Sequence, residues 1–245
     1  MTTKTRIAVI TGASKGLGAA LADFLAAQGY DLVITARGSA ALEKVRANLA
    51  RHGGAVLAVV GDVADAAHRS AVVEAARALG GIDLLVNNAS DIGTSPLPAL
   101  ADYPLDELAR VFNINVIAQL ALTQAALPLL KARGGLVVNL SSDAAKGGYP
   151  GWGGYGASKA ALDLISLTMA NELRESGIGV VSVDPGDMRT DMHQAAFPGE
   201  DISDRPLPDV TLPFWAWLLG QDRLAVSGGR YAAQAEKWEA ANETV

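Results

Sequence analysis

The chain has 245 residues and a mass of 25.2 kDa, half of it hydrophobic and 19% charged, with no repeat or low-complexity tract, which suits one sizeable α/β domain. A formal charge of −6, a pI near 5.1 and the lack of any basic cluster argue against nucleic acid or an anionic membrane as partner. Cysteine is absent, which rules out disulfides and thiolate metal sites; no metal is expected. The polar opening, followed by only four apolar residues, lacks the core of a secretory leader, so a soluble, cytoplasmic protein is expected.

In chain order, a strand is predicted over 6–11, where Ile7-Ala8-Val9-Ile10 leads into Thr11-Gly12-Ala13-Ser14-Lys15-Gly16-Leu17-Gly18 and an alanine-rich helix reaching Gln28. In this strand, turn and helix, Gly12 allows a tight turn, Gly16 a close backbone approach to a phosphate, and Gly18 close packing of the helix. The helix's first amides would face the anion. Further strands are predicted at 31–35, 56–60, 83–87, 135–140 and 179–184, separated by helical patterns. Runs such as Leu84-Leu85-Val86 and Leu136-Val137-Val138 are apolar on both faces, as strands covered by helices on both sides require. The expected fold is therefore a Rossmann-like, doubly wound parallel sheet with ligands beyond the C-terminal strand ends. Polar signatures stand at those ends: Asp62-Val63, Asn87-Asn88-Ala89, Ser141-Ser142 and Pro185-Gly186. The apolar stretch 116–130 is too short to span a membrane and is interrupted by Gln119, Thr123 and Gln124, so a buried helix is expected.

Tyr155 and Lys159 lie four residues apart, on one face of a predicted helix. A phenol normally holds its proton to a pKa of about 10, and a cation within ~4 to 6 Å favours the charged form. The spacing therefore predicts that Lys159 lowers the Tyr155 pKa.

With this pair added to the glycine turn and the polar strand ends, the chain resembles the short-chain dehydrogenase/reductase family of single-domain type, with landmarks from Thr11 to about Thr190. The resemblance implies that Gly12, Ser14, Lys15, Gly16, Leu17 and Gly18 form the cofactor turn and that Asp62 and Val63 meet the adenine. It implies that Asn88 and Ala89 line the cofactor pocket and that Pro185, Gly186 and Thr190 stand near the nicotinamide. Asn115, Ser142, Tyr155 and Lys159 would form the catalytic set. Tyr155 would donate a proton, Ser142 hold the carbonyl oxygen, Lys159 bond the ribose and Asn115 anchor a water. Ser142 is preferred to Ser141 because it lies thirteen residues before Tyr155, the family's usual spacing, and Asn115 is preferred to Asn113 by alignment.

NAD-using relatives carry an acid at the end of the second strand, and this chain has Ala36 there, followed by Arg37, with Lys15 in the glycine turn. Two cations and no acid favour a 2′-phosphate, so NADP(H) is expected ahead of NAD(H). The expected reaction is reduction of a ketone, diketone or aldehyde on a small molecule; the alternative is a non-catalytic NADP(H)-binding sensor. Segment 191–213, with four prolines, His193 and Phe197, reads as a lid, while Tyr149 and Trp152 belong to a predicted pocket wall. Ser90, the Gly-Trp-Gly-Gly-Tyr approach to Tyr155 and the short C-terminus are loosely similar to sepiapterin reductases and small-diketone reductases. The apolar helices near 105–130 and 156–173 are those the family uses for pairing, which implies a homodimer or homotetramer.

Overall fold

Seven strands build a single sheet in the computed structural model, which describes residues 5–240. They are β1 (Arg6–Thr11), β2 (Tyr30–Ala36), β3 (Val56–Val60), β4 (Leu84–Asn87), β5 (Leu136–Leu140), β6 (Gly179–Asp184) and β7 (Arg230–Ala232). All pairings are parallel, in the order β3-β2-β1-β4-β5-β6-β7. The six predicted strands appear within a residue of their expected bounds. The seventh is three residues long and pairs only with β6, so its sequence shows no pattern of its own.

Among the described residues ten α-helices connect the strands: α1 (Gly16–Ala27), α2 (Ser39–Leu49), α3 (Ala66–Leu79), α4 (Leu105–Phe112), α5 (Ala118–Arg133), α6 (Ala144–Gly147), α7 (Gly153–Leu173), α8 (Asp191–Ala196), α9 (Leu212–Leu219) and α10 (Arg223–Val226). Their ends follow local chemistry. Asp65 caps α3 by accepting from the Ala67 amide, and Gly80 and Gly134 stop α3 and α5 in left-handed conformations.

The five inner strands, β2, β1, β4, β5 and β6, bury both of their faces, as their apolar runs require, whereas the edge strands β3 and β7 stay partly exposed. In β1, Ala8 and Ile10 join a core with α1, α2 and α9, whereas Val9 joins a second core with α3, α5 and α7. Because all strands run the same way, Thr11, Ala36, Val60, Asn87, Leu140 and Asp184 end along one edge. The order reverses between β1 and β4, opening a crevice between their C-terminal ends.

A π-helical turn, Asn113–Ile117, joins α4 to α5 into one run from Leu105 to Arg133. That run is long and apolar enough to cross a membrane by composition, yet over half of its most apolar window is buried within the fold, as a core helix should be. The segment expected as an irregular lid is partly helical, containing α8 and the start of α9 around a loop. An aromatic cluster then fastens the C-terminal end to the sheet. The ring of Phe214, wholly buried, lies 5.7 Å from Trp215, 5.8 Å from Trp217, 5.9 Å from Tyr231 and 5.5 Å from Trp238. Removing that central ring leaves a cavity among four others, so Phe214→Ala is expected to cost about 3–5 kcal/mol in urea unfolding; a loss below about 1 kcal/mol would contradict this packing role.

Candidate active site

The glycine turn is organised by one hydroxyl. Thr11 Oγ1, buried at the end of β1, accepts from the Asn88 and Ala89 amides, both at 2.9 Å, and donates to the Val86 carbonyl at 3.4 Å. The Asn88 amide group returns across the gap, donating to the carbonyls of Thr11 at 2.8 Å and Gly12 at 3.2 Å. Gly12 is left-handed at φ +66°, and a Cβ there would sit 2.9 Å from Asn88 Nδ2. Gly18 is under the turn rather than in the cleft, and a Cβ on it would stand 2.5 Å from the Gly12 carbonyl oxygen.

Beyond this turn lies a cleft of about 830 Å³. Its walls include the predicted Gly12, Ser14, Lys15, Gly16, Leu17, Arg37, Asp62, Val63, Asn88, Ala89, Pro185 and Thr190, together with Tyr155 and Lys159. Among the described residues no side chain caps the N-terminus of α1, so its first amides are left for a ligand. Gly16, at φ +55°, has only the Thr190 side chain within reach of a would-be Cβ, at 3.4 Å. Uncapped amides, open backbone and two cations at one end fit a phosphorylated dinucleotide. Lys15 Nζ bonds Asp191 Oδ2 at 2.7 Å across the cleft mouth, tying α8 to the glycine turn.

A second cavity, of about 400 Å³, adjoins the first and contains Ser142, Gly186, Tyr149, Trp152, His193 and Phe197; Tyr155, Ser141 and Pro185 line both. Helix α7 carries Tyr155 and Lys159 side by side, the ammonium 5.5 Å from the phenol ring centre. Both side chains are almost wholly buried. Burial is the largest influence on each: it raises the Tyr155 pKa, against hydrogen bonds from Ser90 and Ser142, and lowers that of Lys159 to about 8. The sequence expectation that Lys159 lowers the tyrosine pKa is therefore corrected. The ammonium is turned to the Leu140 carbonyl, 2.7 Å away, and desolvation of the phenol prevails.

Asn115 sits in the π-helical turn and is fully buried, while Asn113 is exposed. Its side chain is committed: Oδ1 accepts from the Asp91 amide at 2.7 Å and the Ser90 hydroxyl at 3.1 Å, and Nδ2 donates to Asp91 O at 2.8 Å and Ser158 Oγ at 3.0 Å. Ser142 Oγ donates to Asp143 Oδ1 at 3.0 Å and accepts from the Ala144 amide at 3.1 Å. Among the described residues Ser141 Oγ is buried without a partner, while Ser142 shares the smaller cavity with Tyr155 and its hydroxyl favours the ionised phenol.

Comparison with known proteins gives the family. A sequence profile described as short chain dehydrogenase matches residues 6–201. The chain belongs to the short-chain dehydrogenase/reductase family. Over 96% of its length it is 37% identical to L-xylo-3-hexulose reductase of Hypocrea jecorina, covering 82% of that protein. A Shigella flexneri 2a protein described as a short chain dehydrogenase and solved with NADP superposes with a TM-score of 0.85 at 29% identity, over 94% of this chain and 97% of that one. Xylitol dehydrogenase bound to NAD+ superposes with a TM-score of 0.83 at 26% identity, over 95% and 98%. The chain is thus an oxidoreductase of this family.

Several supporting residues of this family member escaped the sequence reading. Ser90 donates to Asn115 Oδ1 at 3.1 Å, and its hydroxyl works against the burial that raises the Tyr155 pKa. Arg230 of β7 donates to the Ser142 carbonyl at 2.7 Å and to Asp163 Oδ2 at 2.8 Å, one turn after Lys159. Gln234 donates to the carbonyls of Pro185 and Asp187, both at 2.9 Å, and so fixes the loop carrying Gly186. Arg230 escaped because β7 is too short to show a pattern, and Gln234 because it acts from the turn that follows that strand.

The Lys159 shift has a stability consequence. Its folded pKa lies below the unfolded value of about 10.4, so burial costs stability at pH below about 8 and the cost is relieved as pH rises towards about 10.4. Relative to Lys159→Met, the wild-type chain is expected to gain about 3 kcal/mol between about pH 7 and about pH 10.5. Urea unfolding of both chains across that range checks this, and parallel stability curves would contradict it.

Proposed function

We propose that this protein is an NADP(H)-dependent reductase of ketones, diketones or aldehydes on small molecules. The observation that carries the reading is the meeting of two cavities at Tyr155, one suited to a dinucleotide and the other to a small substrate, with Lys159 buried beside it. When bound, the nicotinamide supplies or accepts the hydride. Tyr155 gives its proton to the carbonyl oxygen; burial keeps the phenol protonated at neutral pH, which suits a donor in the reductive direction. The Ser142 hydroxyl turns from Asp143 to the same oxygen and stabilises the charge developing there. Lys159 lies at the cleft floor, where its ammonium can also reach the ribose hydroxyls. Asn115 acts as a brace, fixing the Ser90–Asp91 backbone and, through Ser158, the start of α7.

Preference for NADP(H) rests on Ala36 in place of an acid and on Arg37 and Lys15 at one end of the cleft. The solved relatives include proteins bound to either cofactor, NADP(H) in several and NAD+ in another. Segment 191–213, latched through Asp191 to Lys15, serves as the lid. Assembly as a homodimer or homotetramer in the cytoplasm completes the reading. Leu105, Ile117 and Leu164 are 76%, 58% and 65% exposed on the helices expected to pair, an arrangement that a partner copy would cover.

NADPH consumption with a panel of diketones, aromatic ketones, aldehydes and pterins tests the activity. Tyr155→Phe is expected to lower kcat/KM by about 10²- to 10⁴-fold while NADPH binding persists, and turnover unchanged in that variant would refute the assignment. Arg37→Asp is expected to weaken NADPH affinity about tenfold or more, leaving NADH nearly unaffected; equal losses for both cofactors would remove the 2′-phosphate argument. Leu164→Glu should shift light scattering towards the monomer, and a wild-type chain that is already monomeric refutes the assembly.

A further inference from the structure

We propose that the pocket beside Tyr155 selects a small ring-bearing ketone without negative charge, and that Asp143 and Asp187 at its rim discriminate against anionic analogues. The proposal rests on the carbonyl-reductase reading above and narrows its substrate.

Shape comes first. The cavity, of about 400 Å³, lies at the small end of ligand sites, which suits a compact molecule better than a long acyl chain. Its inner wall is aromatic. Trp152 stands edge-on to Tyr155, with ring centres 5.9 Å apart and planes at 67°. Phe197 leans on Trp152 at 6.0 Å, and the His193 ring lies 5.0 Å from Phe197. Ile92 and the partly buried Met192 pack into the same cluster. A flat ring placed here gains offset or edge contacts, whereas a polyhydroxylated chain would turn hydroxyls towards rings that cannot bond them.

Charge narrows the choice further. Three carboxylates line the cavity, Asp143, Asp184 and Asp187, and among the described residues no lysine or arginine lines it. Asp184 is buried, bonds the Gly186 amide and has Arg230 Nη2 at 3.6 Å, so it is largely committed to the fold. Asp187 is exposed, with Arg205 Nε at 3.6 Å and His193 Nδ1 at 3.7 Å, distances that offset its charge only in part. Asp143 is exposed too, and its neighbours are the hydroxyls of Ser142 and Tyr149. An anionic substrate approaching Ser142 therefore meets Asp143 within one residue of the carbonyl's binding point, and this repulsion acts through solvent and is screened by salt.

Methyl 4-acetylbenzoate and 4-acetylbenzoate share a ketone and a ring and differ in charge, so their kcat/KM ratio with NADPH reads the selection directly. The neutral ester is expected to be favoured about tenfold or more at low ionic strength. That ratio should shrink several-fold at about 500 mM salt and in Asp143→Asn, where comparing two substrates on one variant cancels general damage. Trp152→Ala should lower kcat/KM for both ring ketones far more than for a small aliphatic diketone. Equal or preferred use of the carboxylate, a ratio indifferent to both salt and Asp143→Asn, or preference for a polyhydroxylated ketone of equal size overturns the proposal while leaving the reductase reading intact. If no carbonyl compound consumes NADPH, that reading fails, and calorimetric binding of the same two compounds to the protein mixed with NADP+ still decides: tighter binding of the ester supports the charge selection, and equal or no binding of either overturns it.

Discussion

The Thr11 hydroxyl holds together the two strand ends between which everything else is arranged. It accepts from two successive backbone amides after β4, while Asn88 answers by donating to two successive carbonyls, of Thr11 at the end of β1 and of Gly12. These strands flank the point where the sheet order reverses, so without cross-links their ends would be free to diverge with the sheet's twist. The clasp satisfies backbone groups that the parallel ladder leaves unpaired. It also places Gly12 so close to Asn88 that a side chain on Gly12 would have no room, and it delivers Ala89 and Ser90 to the rim of the cleft.

From that rim a chain of polar contacts runs to the chemistry. Ser90 and the Asp91 backbone bond Asn115, Asn115 bonds Ser158, and Ser158 bonds the Tyr155 carbonyl at 2.6 Å. The π-helical turn aims a buried asparagine at a loop and a helix at once, which suits the recurrence of such turns at functional sites. Each donor and acceptor of the asparagine side chain finds a partner, and that satisfied network makes the position of α7 relative to β4 specific.

The electrostatic character of Tyr155 and Lys159 follows from enclosure rather than from their proximity. Both lie beneath the junction of two cavities, and in low dielectric the neutral form of each is favoured. For Lys159, Asp163 opposes this from behind, held there by Arg230. The guanidinium joins the Ser142 carbonyl to the helix carrying Lys159, and the Asp163 carboxylate favours the ammonium. The short seventh strand and the aromatic cluster around Phe214 thus serve the site at a distance, because they hold Arg230 and Gln234 in place.

Much of this was legible in the chain itself. Apolar runs buried on both faces dictated strands covered on two sides, and the glycine turn, the Asn88-Ala89 and Ser142 positions and the Tyr155–Lys159 pair are short-range patterns whose local geometry follows from spacing. Tertiary structure alone decided the rest. Strand β7 is too short to show a period, and Arg230 meets Ser142 across 88 positions of sequence. The direction of the tyrosine shift depends on how deeply the phenol is enclosed, a property of the assembled walls and not of the four-residue interval. Lys15, read as a cation awaiting a phosphate, also bonds Asp191 from a helix 176 positions away. Local spacing is set by bond geometry and can be read along a sequence, whereas desolvation and long-range pairing exist only once distant segments have been brought together.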